Sequence, residues 1–179
     1  MTHSLSLVGA IKETGFSCTR CGTCCKESEP GSNLVMVGPE EISRIIERSG
    51  LSFEDIVEPY PDRIQEGGKD YTFGWVLRRK NDQCMFLERN RCIIYEVRPW
   101  ICRTYPFMLD NSGLSVHPCE GIRTVNHTED AQEMALNLEK RLEYEQDQDD
   151  KILKILSSHS IPAGKPVVID AEGIKEYHG

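Results

Sequence analysis

Eight cysteines are the residues of this sequence whose type and spacing could do chemistry. Four lie within eight residues, in the C-x2-C-x2-C-C array Cys18-Thr19-Arg20-Cys21-Gly22-Thr23-Cys24-Cys25. Four more follow singly, at Cys84, Cys92, Cys102 and Cys119. Thiolates bind soft and borderline metals, and a tight turn with this spacing can aim several sulfurs at one point. We therefore expect all eight cysteines to be metal ligands, with the fold bringing the later four onto the array.

The spacing within the array bears on which metal is bound. Cys18, Cys21 and Cys24 repeat the C-x2-C-x2-C core of bacterial-type [4Fe-4S] ferredoxins, whereas one C-x2-C pair would fit zinc equally well. Cys24 and Cys25 are adjacent, and neighbouring side chains diverge, so both cannot easily serve one small tetrahedral ion. The pattern favours an iron–sulfur centre, most simply [4Fe-4S], built as a polynuclear centre or as two sites side by side. A zinc site is the alternative, and a metal-free thiol redox protein is the third possibility.

A thiolate centre is anionic with either metal and needs cations close by. Four basic residues stand beside the cysteines in sequence and are candidates to balance that charge: Arg20, Lys26, Arg98 and Arg103. His117, two residues before Cys119, is the histidine that could add a nitrogen ligand. The sequence contains no glycine-rich phosphate loop, nucleophile elbow or H-E-x-x-H signature, so no catalytic residue is predicted.

Composition narrows the partners and the compartment. The formal net charge is -8, which argues against nucleic acid as a partner because no basic excess exists to neutralise phosphates. No apolar run is long enough to span a membrane, and the first residues lack the features of a signal peptide. Disulfide frameworks belong to exported proteins, so clustered cysteines without an export signal indicate metal or redox chemistry. We expect a cytoplasmic protein with an unidentified redox or protein partner, acting on neither nucleic acid nor membrane.

The elements before the second set of cysteines are predicted to be short. Residues 1–17 alternate mildly and indicate a strand or a partly ordered lead-in. Residues 39–48 predict a helix that stops at Gly50, and Ser52 predicts the start of a second short helix. Residues 70–80 alternate in hydrophobicity and predict one strand.

Turn signals and a short helix position the later cysteines. Two apolar runs that flank a turn predict a hairpin, with Cys84 and Cys92 on neighbouring strands or strand ends. A short helix carries Cys102. A second hairpin is predicted over residues 107–116, and Cys119 follows it.

The last third of the chain is predicted to be mostly helical. Apolar residues from Ala131 to Leu142 recur at helical spacing behind a cap at Thr128. The acidic run 143–150 indicates a solvated continuation of this helix, or else a break before a second helix, and we prefer the solvated face. Residues 167–169 predict a peripheral strand before a loose end.

These elements together predict an α+β fold: a small irregular metal-centred domain with short β-hairpins, surrounding helices and a long C-terminal helical region. We place the cysteine-cluster domain at residues 1–127. Residues 128–179 form a helical extension and tail that pack on it, giving one structural unit.

The later cysteines stand within longer motifs, which read Cys84-x-Phe86-Leu87 and Cys92-Ile93-Ile94-Tyr95-Glu96-x-Arg98-Pro99-x-x-Cys102-Arg103-x-Tyr105-Pro106-Phe107. With the array, they resemble the YkgJ-type family of cysteine-cluster proteins, described as having a zinc- or iron-chelating domain. The resemblance spans Cys18 to Cys119 and leaves the C-terminal helices outside it. The family is similar to the cysteine-rich part of flagellin lysine-N-methylases, where a cluster is implied to work with S-adenosylmethionine. Nothing else in this sequence points to that cofactor.

The function expected from these observations is metal binding by a cysteine cluster. An iron–sulfur protein with a redox, cofactor-bearing or accessory role is favoured. The alternative is a non-catalytic zinc-binding domain with a structural or interaction role. The sequence leaves open whether the chain is an enzyme.

Overall fold

The structure, a computed structural model, describes residues 2–29, 31–124 and 127–177. Its mixture of helices and small sheets confirms the α+β class. The helices of the described residues are α1 (Thr2–Thr14), α2 (Pro39–Ser49), α3 (Phe53–Ile56), α4 (Trp100–Thr104) and α5 (Thr128–Ser158). The strands of the described residues are β1 (Met36–Val37), β2 (Val57–Pro59), β3 (Ile64–Glu66), β4 (Lys69–Phe73), β5 (Trp75–Leu77), β6 (Arg79–Lys80), β7 (Gln83–Cys84), β8 (Leu87–Glu88), β9 (Arg91–Cys92), β10 (Phe107–Asp110), β11 (Gly113–Val116), β12 (Pro166–Asp170) and β13 (Gly173–Glu176). Among the described residues, no helix is long and apolar enough to cross a membrane.

Two larger sheets and three separate two-stranded hairpins make up the β structure of the described residues. A three-stranded sheet has the order β1-β5-β2, and a four-stranded sheet has the order β13-β12-β4-β3. The hairpins are β6-β7, β8-β9 and β10-β11. The predicted helices over residues 39–48 and from Ser52 are confirmed as α2 and α3, with Gly50 ending α2 at φ 71°. The predicted hairpin over residues 107–116 is confirmed as β10-β11.

The single strand expected over residues 70–80 is instead divided among three sheets. Gly74 adopts φ 75° and separates β4 from β5, which then enter different sheets. Glycine tolerates this left-handed backbone, so the chain can bend sharply where alternation alone suggests a continuous strand. The last part of the segment, β6, turns back on β7 and pairs Arg79 with Cys84.

The N-terminal segment is helical, so the strand expected within residues 1–17 was wrong. Leu7 and Ile11 lie four residues apart on one face of α1 and are buried with Leu138 and Phe107. Two apolar residues at this spacing fit one helical face as well as a weak alternation, and the long helix α5 supplies the packing surface.

Helix α5 runs for 31 residues without a break at the acidic run 143–150. Its first half buries Ala131, Ala135 and Leu138 against α1 and β10. Its later turns place Ile155 and neighbouring apolar residues against the four-stranded sheet. Helix α5 therefore packs against α1 near one end of the sequence and against the sheet of β12 and β13 near the other.

The strand expected at the periphery, residues 167–169, is an interior strand of the four-stranded sheet. β12 pairs antiparallel with β13 and in parallel with β4, and Val167, Val168 and Ile169 are fully buried. An unbroken apolar run is typical of a strand that is covered on both faces, so residues 167–169 carried a signal for an interior strand. The indole of Trp75 donates to Oδ2 of Asp170 at 2.7 Å, which joins the tail to the three-stranded sheet.

This placement predicts the response to shortening a valine in the tail. Val168→Ala should lower the free energy of unfolding by about 2–3 kcal/mol, because it removes buried methyl groups and leaves a cavity. Val116→Ala, at a valine that is 41% exposed, should change it by less than about 0.5 kcal/mol. Urea unfolding followed by circular dichroism measures both. Equal effects would contradict an interior position for β12.

Candidate metal centre

All eight cysteines are free thiols, and all eight line one cavity of about 1240 Å³. They reach it from five places: the array loop (Cys18, Cys21, Cys24, Cys25), β7 (Cys84), β9 (Cys92), α4 (Cys102) and the segment after β11 (Cys119). Cys18 and Cys24 are exposed, and the other six are partly exposed. The fold thus gathers the thiols predicted as ligands around a single space. Their role as ligands stays a prediction.

The thiols surround this cavity without meeting at one point. The Sγ atoms of Cys24 and Cys25 lie 4.0 Å apart. Within the described ranges, no three His, Cys, Asp or Glu side chains are grouped closely enough to hold a metal ion. The donor set itself, made of thiols on short loops and hairpins, suits zinc or an iron–sulfur centre by chemistry. Ligation would require rotation of these side chains toward a common centre.

The array loop is held in place by its glycine. A 3₁₀ turn covers Thr23–Cys25, and Gly22 before it adopts φ 77°. A Cβ at Gly22 would lie 3.2 Å from Cδ1 of Leu87 and 3.5 Å from Cα of Asn90. The loop therefore lies directly against the β8-β9 hairpin, and a larger residue would push the array away from the later cysteines.

Cys84 and Cys92 lie on two successive hairpins rather than on the two strands of one hairpin. β8-β9 pairs Leu87 with Cys92, whereas Cys84 lies on β7 and pairs with Arg79. The predicted hairpin is present as β8-β9 and carries Cys92, but Cys84 lies on the hairpin before it, β6-β7. Both turns have two residues at positive φ, which is the backbone that tight hairpins favour. The short loops keep both thiols on the same side, at the cavity.

Four of the thiols lie beside the backbone amide two residues further along the chain, which favours their ionised form. The pairs are Cys21 with Thr23, Cys84 with Phe86, Cys92 with Ile94 and Cys119 with Gly121. The last has an N···S distance of 3.4 Å. An amide donor stabilises a thiolate and orients its sulfur. The same local geometry recurs on separate elements, so the backbone presents these sulfurs in a common way.

Crowding and burial make most of these thiols hard to ionise on their own. Hydrogen bonds from Thr23 instead lower the pKa of Cys21. Burial raises the pKa of Cys102 well above its usual value, and the charges of Cys84, Cys24 and Cys92 raise it further. The hydrogen bond to Cys25, followed by burial, raises the pKa of Cys24. A bound cation would reverse this balance, so metal binding here should release protons.

Three of the four basic residues singled out by sequence line the cavity. Arg98 and Arg20 stack on the Tyr95 ring, with Cζ 3.8 Å and 4.9 Å from its centroid, and Arg103 lies over Trp100 at 5.3 Å. Backbone carbonyls also hold two of them, since Arg103 donates to Arg98 and Arg98 donates to Tyr95. These contacts fix the guanidinium groups beside the thiols, where they can offset negative charge.

Lys26 and His117 have different surroundings. Lys26 lies outside the cavity lining and donates from Nζ to Oδ1 of Asn90 at 2.9 Å, which ties the array to the β8-β9 turn. His117 lines the cavity and stacks on Tyr105, with ring centroids 6.4 Å apart. Its Nε2 lies 3.0 Å from Sδ of Met108. Its role as a ligand remains a prediction.

Sequence reasoning missed that helix α5 forms one wall of the cavity. Arg141 is buried, donates to Oγ1 of Thr104 at 2.9 Å and pairs with Glu145 at 2.7 Å. Arg141 therefore connects α5 with α4, the helix that carries Cys102. A charged residue within the apolar stripe that includes Leu138 was the available signal, because such a position is rarely buried unless it is paired.

Glu41 fixes the start of the same short helix. Its side chain is buried, and its two oxygens accept from the amides of Trp100 at 2.7 Å and Gly38 at 2.9 Å. One carboxylate thus caps the first turns of both α2 and α4. Burial raises the pKa of Glu41, which indicates that removing its ionised carboxylate from water costs free energy.

Removal of this double cap should loosen α4. Glu41→Ala leaves two amides without their acceptor and should lower the free energy of unfolding by about 1–3 kcal/mol. Glu40→Ala, at the exposed neighbour in the same turn, should cost less than about 1 kcal/mol. Urea unfolding of the two variants under identical metal conditions makes the comparison. If both variants match the wild type, Glu41 does not position α4.

Comparison with known proteins agrees with the cysteine pattern. The family model that matches, over residues 17–147, is described as "CxxCxxCC: Putative zinc- or iron-chelating domain". The match passes beyond Cys119, where the sequence resemblance was expected to end, and takes in much of α5. This extension is consistent with the wall that α5 contributes to the cavity.

A curated relative and the solved structures add little detail about activity. The "Uncharacterized protein MJ0661" of Methanocaldococcus jannaschii is 27% identical over 94 residues, which are 51% of this chain and 44% of that protein. The matched segment therefore spans less than half the length of this relative. No solved structure matches the chain. On the family match over residues 17–147, this chain belongs to the CxxCxxCC family of zinc- or iron-chelating cysteine-cluster domains.

Proposed function

We propose that this protein carries an iron–sulfur centre, most simply of the [4Fe-4S] type. It would act in electron transfer, or as a cofactor-bearing enzyme or accessory factor that works with a redox or protein partner. The observation that carries the proposal is the convergence of eight thiols on one cavity of about 1240 Å³. Eight thiolates exceed what one tetrahedral ion can use, which favours a polynuclear centre or more than one site.

The surroundings of the cavity support a centre with redox function. When bound, an iron–sulfur cluster supplies one-electron transfer. Cys18 and Cys24 are exposed, so this face is accessible to a partner. The backbone amides beside four sulfurs, together with Arg98 and Arg103, would stabilise added negative charge.

The second candidate is a zinc-binding domain with a structural or interaction role. The observation that favours it is the C-x2-C turn of Cys18 and Cys21, in which the amide of Thr23 lies beside the Cys21 thiol. A C-x2-C turn of this kind suits a four-thiolate zinc site equally well. The family description also names zinc beside iron.

Analysis of metal and acid-labile sulfide in protein purified without oxygen tests the first candidate against the second. We expect iron with matching sulfide, a brown colour and bleaching on reduction, because a thiolate-bound cluster gives charge-transfer absorption that the reductant removes. The control is the same preparation after removal of metal and anaerobic reconstitution with iron and sulfide. Colourless protein with stoichiometric zinc and no sulfide, both before and after reconstitution, would overturn the iron–sulfur proposal and establish the zinc candidate.

A single substitution in the array tests whether the thiols hold the metal. Cys21→Ser should reduce the metal content and lower the melting temperature by at least about 5 °C, because coordination energy doubles as folding energy in small metal domains. Ser17→Ala, an exposed position in the same loop, is the matched control and should change neither quantity. Full metal content and an unchanged melting temperature in Cys21→Ser would show that this cysteine is no ligand.

A further inference from the structure

The array loop is attached to two different parts of the chain, one at each end. At its start, Phe16 forms an antiparallel bridge with Ile122, and the amide of Ser17 donates to the carbonyl of Gly121 at 3.1 Å. The approach is close, because a Cβ at Gly121 would lie 2.4 Å from the carbonyl oxygen of Ser17. The start of the array is therefore fixed beside the segment that carries Cys119.

The end of the array is attached to the β6-β7 hairpin instead. Lys26 forms an antiparallel bridge with Gln83, and the amide of Glu27 donates to the carbonyl of Asp82 at 2.7 Å. Arg79 on β6 pairs with Glu27 at 3.0 Å and reinforces this contact. The residue after the array thus lies beside the residue before Cys84.

These two attachments, together with the charges that act on the thiols, divide six of the cysteines into two groups. The first thiol group is Cys18, Cys21 and Cys119. The second thiol group is Cys84, Cys92 and Cys102. The charges that act on Cys119 come from Cys21, Cys24 and Cys18, whereas those that act on Cys102 include Cys84, Cys24 and Cys92. Cys24 is the member common to both sets, which places the middle of the array between the groups.

We propose that the centre consists of two metal subsites, each built on one of these groups. Cys24 lies between the groups, and it supplies the remaining thiolates together with the adjacent Cys25, so that each subsite has four sulfur ligands for a soft or borderline metal. Neighbouring side chains diverge, and this lets one dipeptide serve two subsites where it could not easily serve one ion. The division rests on the proposed metal-binding function and applies to an iron–sulfur centre or to zinc.

Paired double substitutions test the division. Cys18→Ser/Cys119→Ser removes two ligands of the first thiol group, and Cys92→Ser/Cys119→Ser removes one ligand from each group. Both variants lose two thiols, so they are matched in composition. We expect the within-group variant to keep about half of the wild-type metal and the across-group variant to keep almost none. Elemental analysis of protein purified without oxygen gives the metal content, and circular dichroism establishes whether each variant is folded.

The outcomes separate this inference from the function on which it rests. Equal metal loss in two folded double variants would overturn the division and indicate one centre. Wild-type protein that holds no metal, even after anaerobic reconstitution, would instead overturn the proposed function. If either variant is unfolded, titration of the reduced, metal-free wild-type chain with Co2+ alone decides. Saturation of the thiolate-to-cobalt absorption at about two equivalents supports two subsites, and saturation at about one overturns them.

Discussion

The cost of ionising thiols that are crowded around one cavity is the constraint on which the rest of the structure depends. Burial makes the thiolates of Cys102 and Cys84 hard to form, and the charges of neighbouring thiolates add to this cost. The fold answers with amide donors aimed at sulfurs and with arginines held on aromatic rings beside the cavity. These devices reduce this cost without removing it, and a bound cation is the element that completes the balance.

Short, local signals in the sequence predicted much of the scaffold. Proline at the start and glycine at the stop fixed the bounds of α2, and the turn at residues 110–113 fixed the β10-β11 hairpin. These features depend on a few neighbouring residues, so a sequence displays them directly. The cysteine spacing predicted a shared site in the same way, because the array and the family pattern both identify individual cysteines as candidate metal ligands. Cys84 and Cys92 reached the cavity as expected, although through two hairpins in place of one.

Features that depend on distant partners were beyond the same reasoning. Leu7 and Ile11 became a helical face only because α5 lies against them. Val168 became an interior residue only because β4, nearly a hundred positions earlier, pairs beside it. Arg141 is buried because Thr104 and Glu145 accept its hydrogen bonds, and Thr104 lies 37 residues away, outside its local sequence. In each case tertiary packing, rather than propensity, decided the outcome.

The parallel pairing of β12 with β4 has a consequence for how the protein is made. Thr72, in the middle of β4, cannot pair until Val168 has been synthesised, nearly a hundred residues later in the chain. Closing so long a segment carries a large loop entropy, and until it closes β4 has an unpaired edge open to other chains. The nascent polypeptide therefore displays its cysteine array well before its scaffold is complete. During that interval the thiols of the array and the unpaired edge of β4 are exposed at the same time. Metal delivered in the cell at this stage would meet an incomplete cavity.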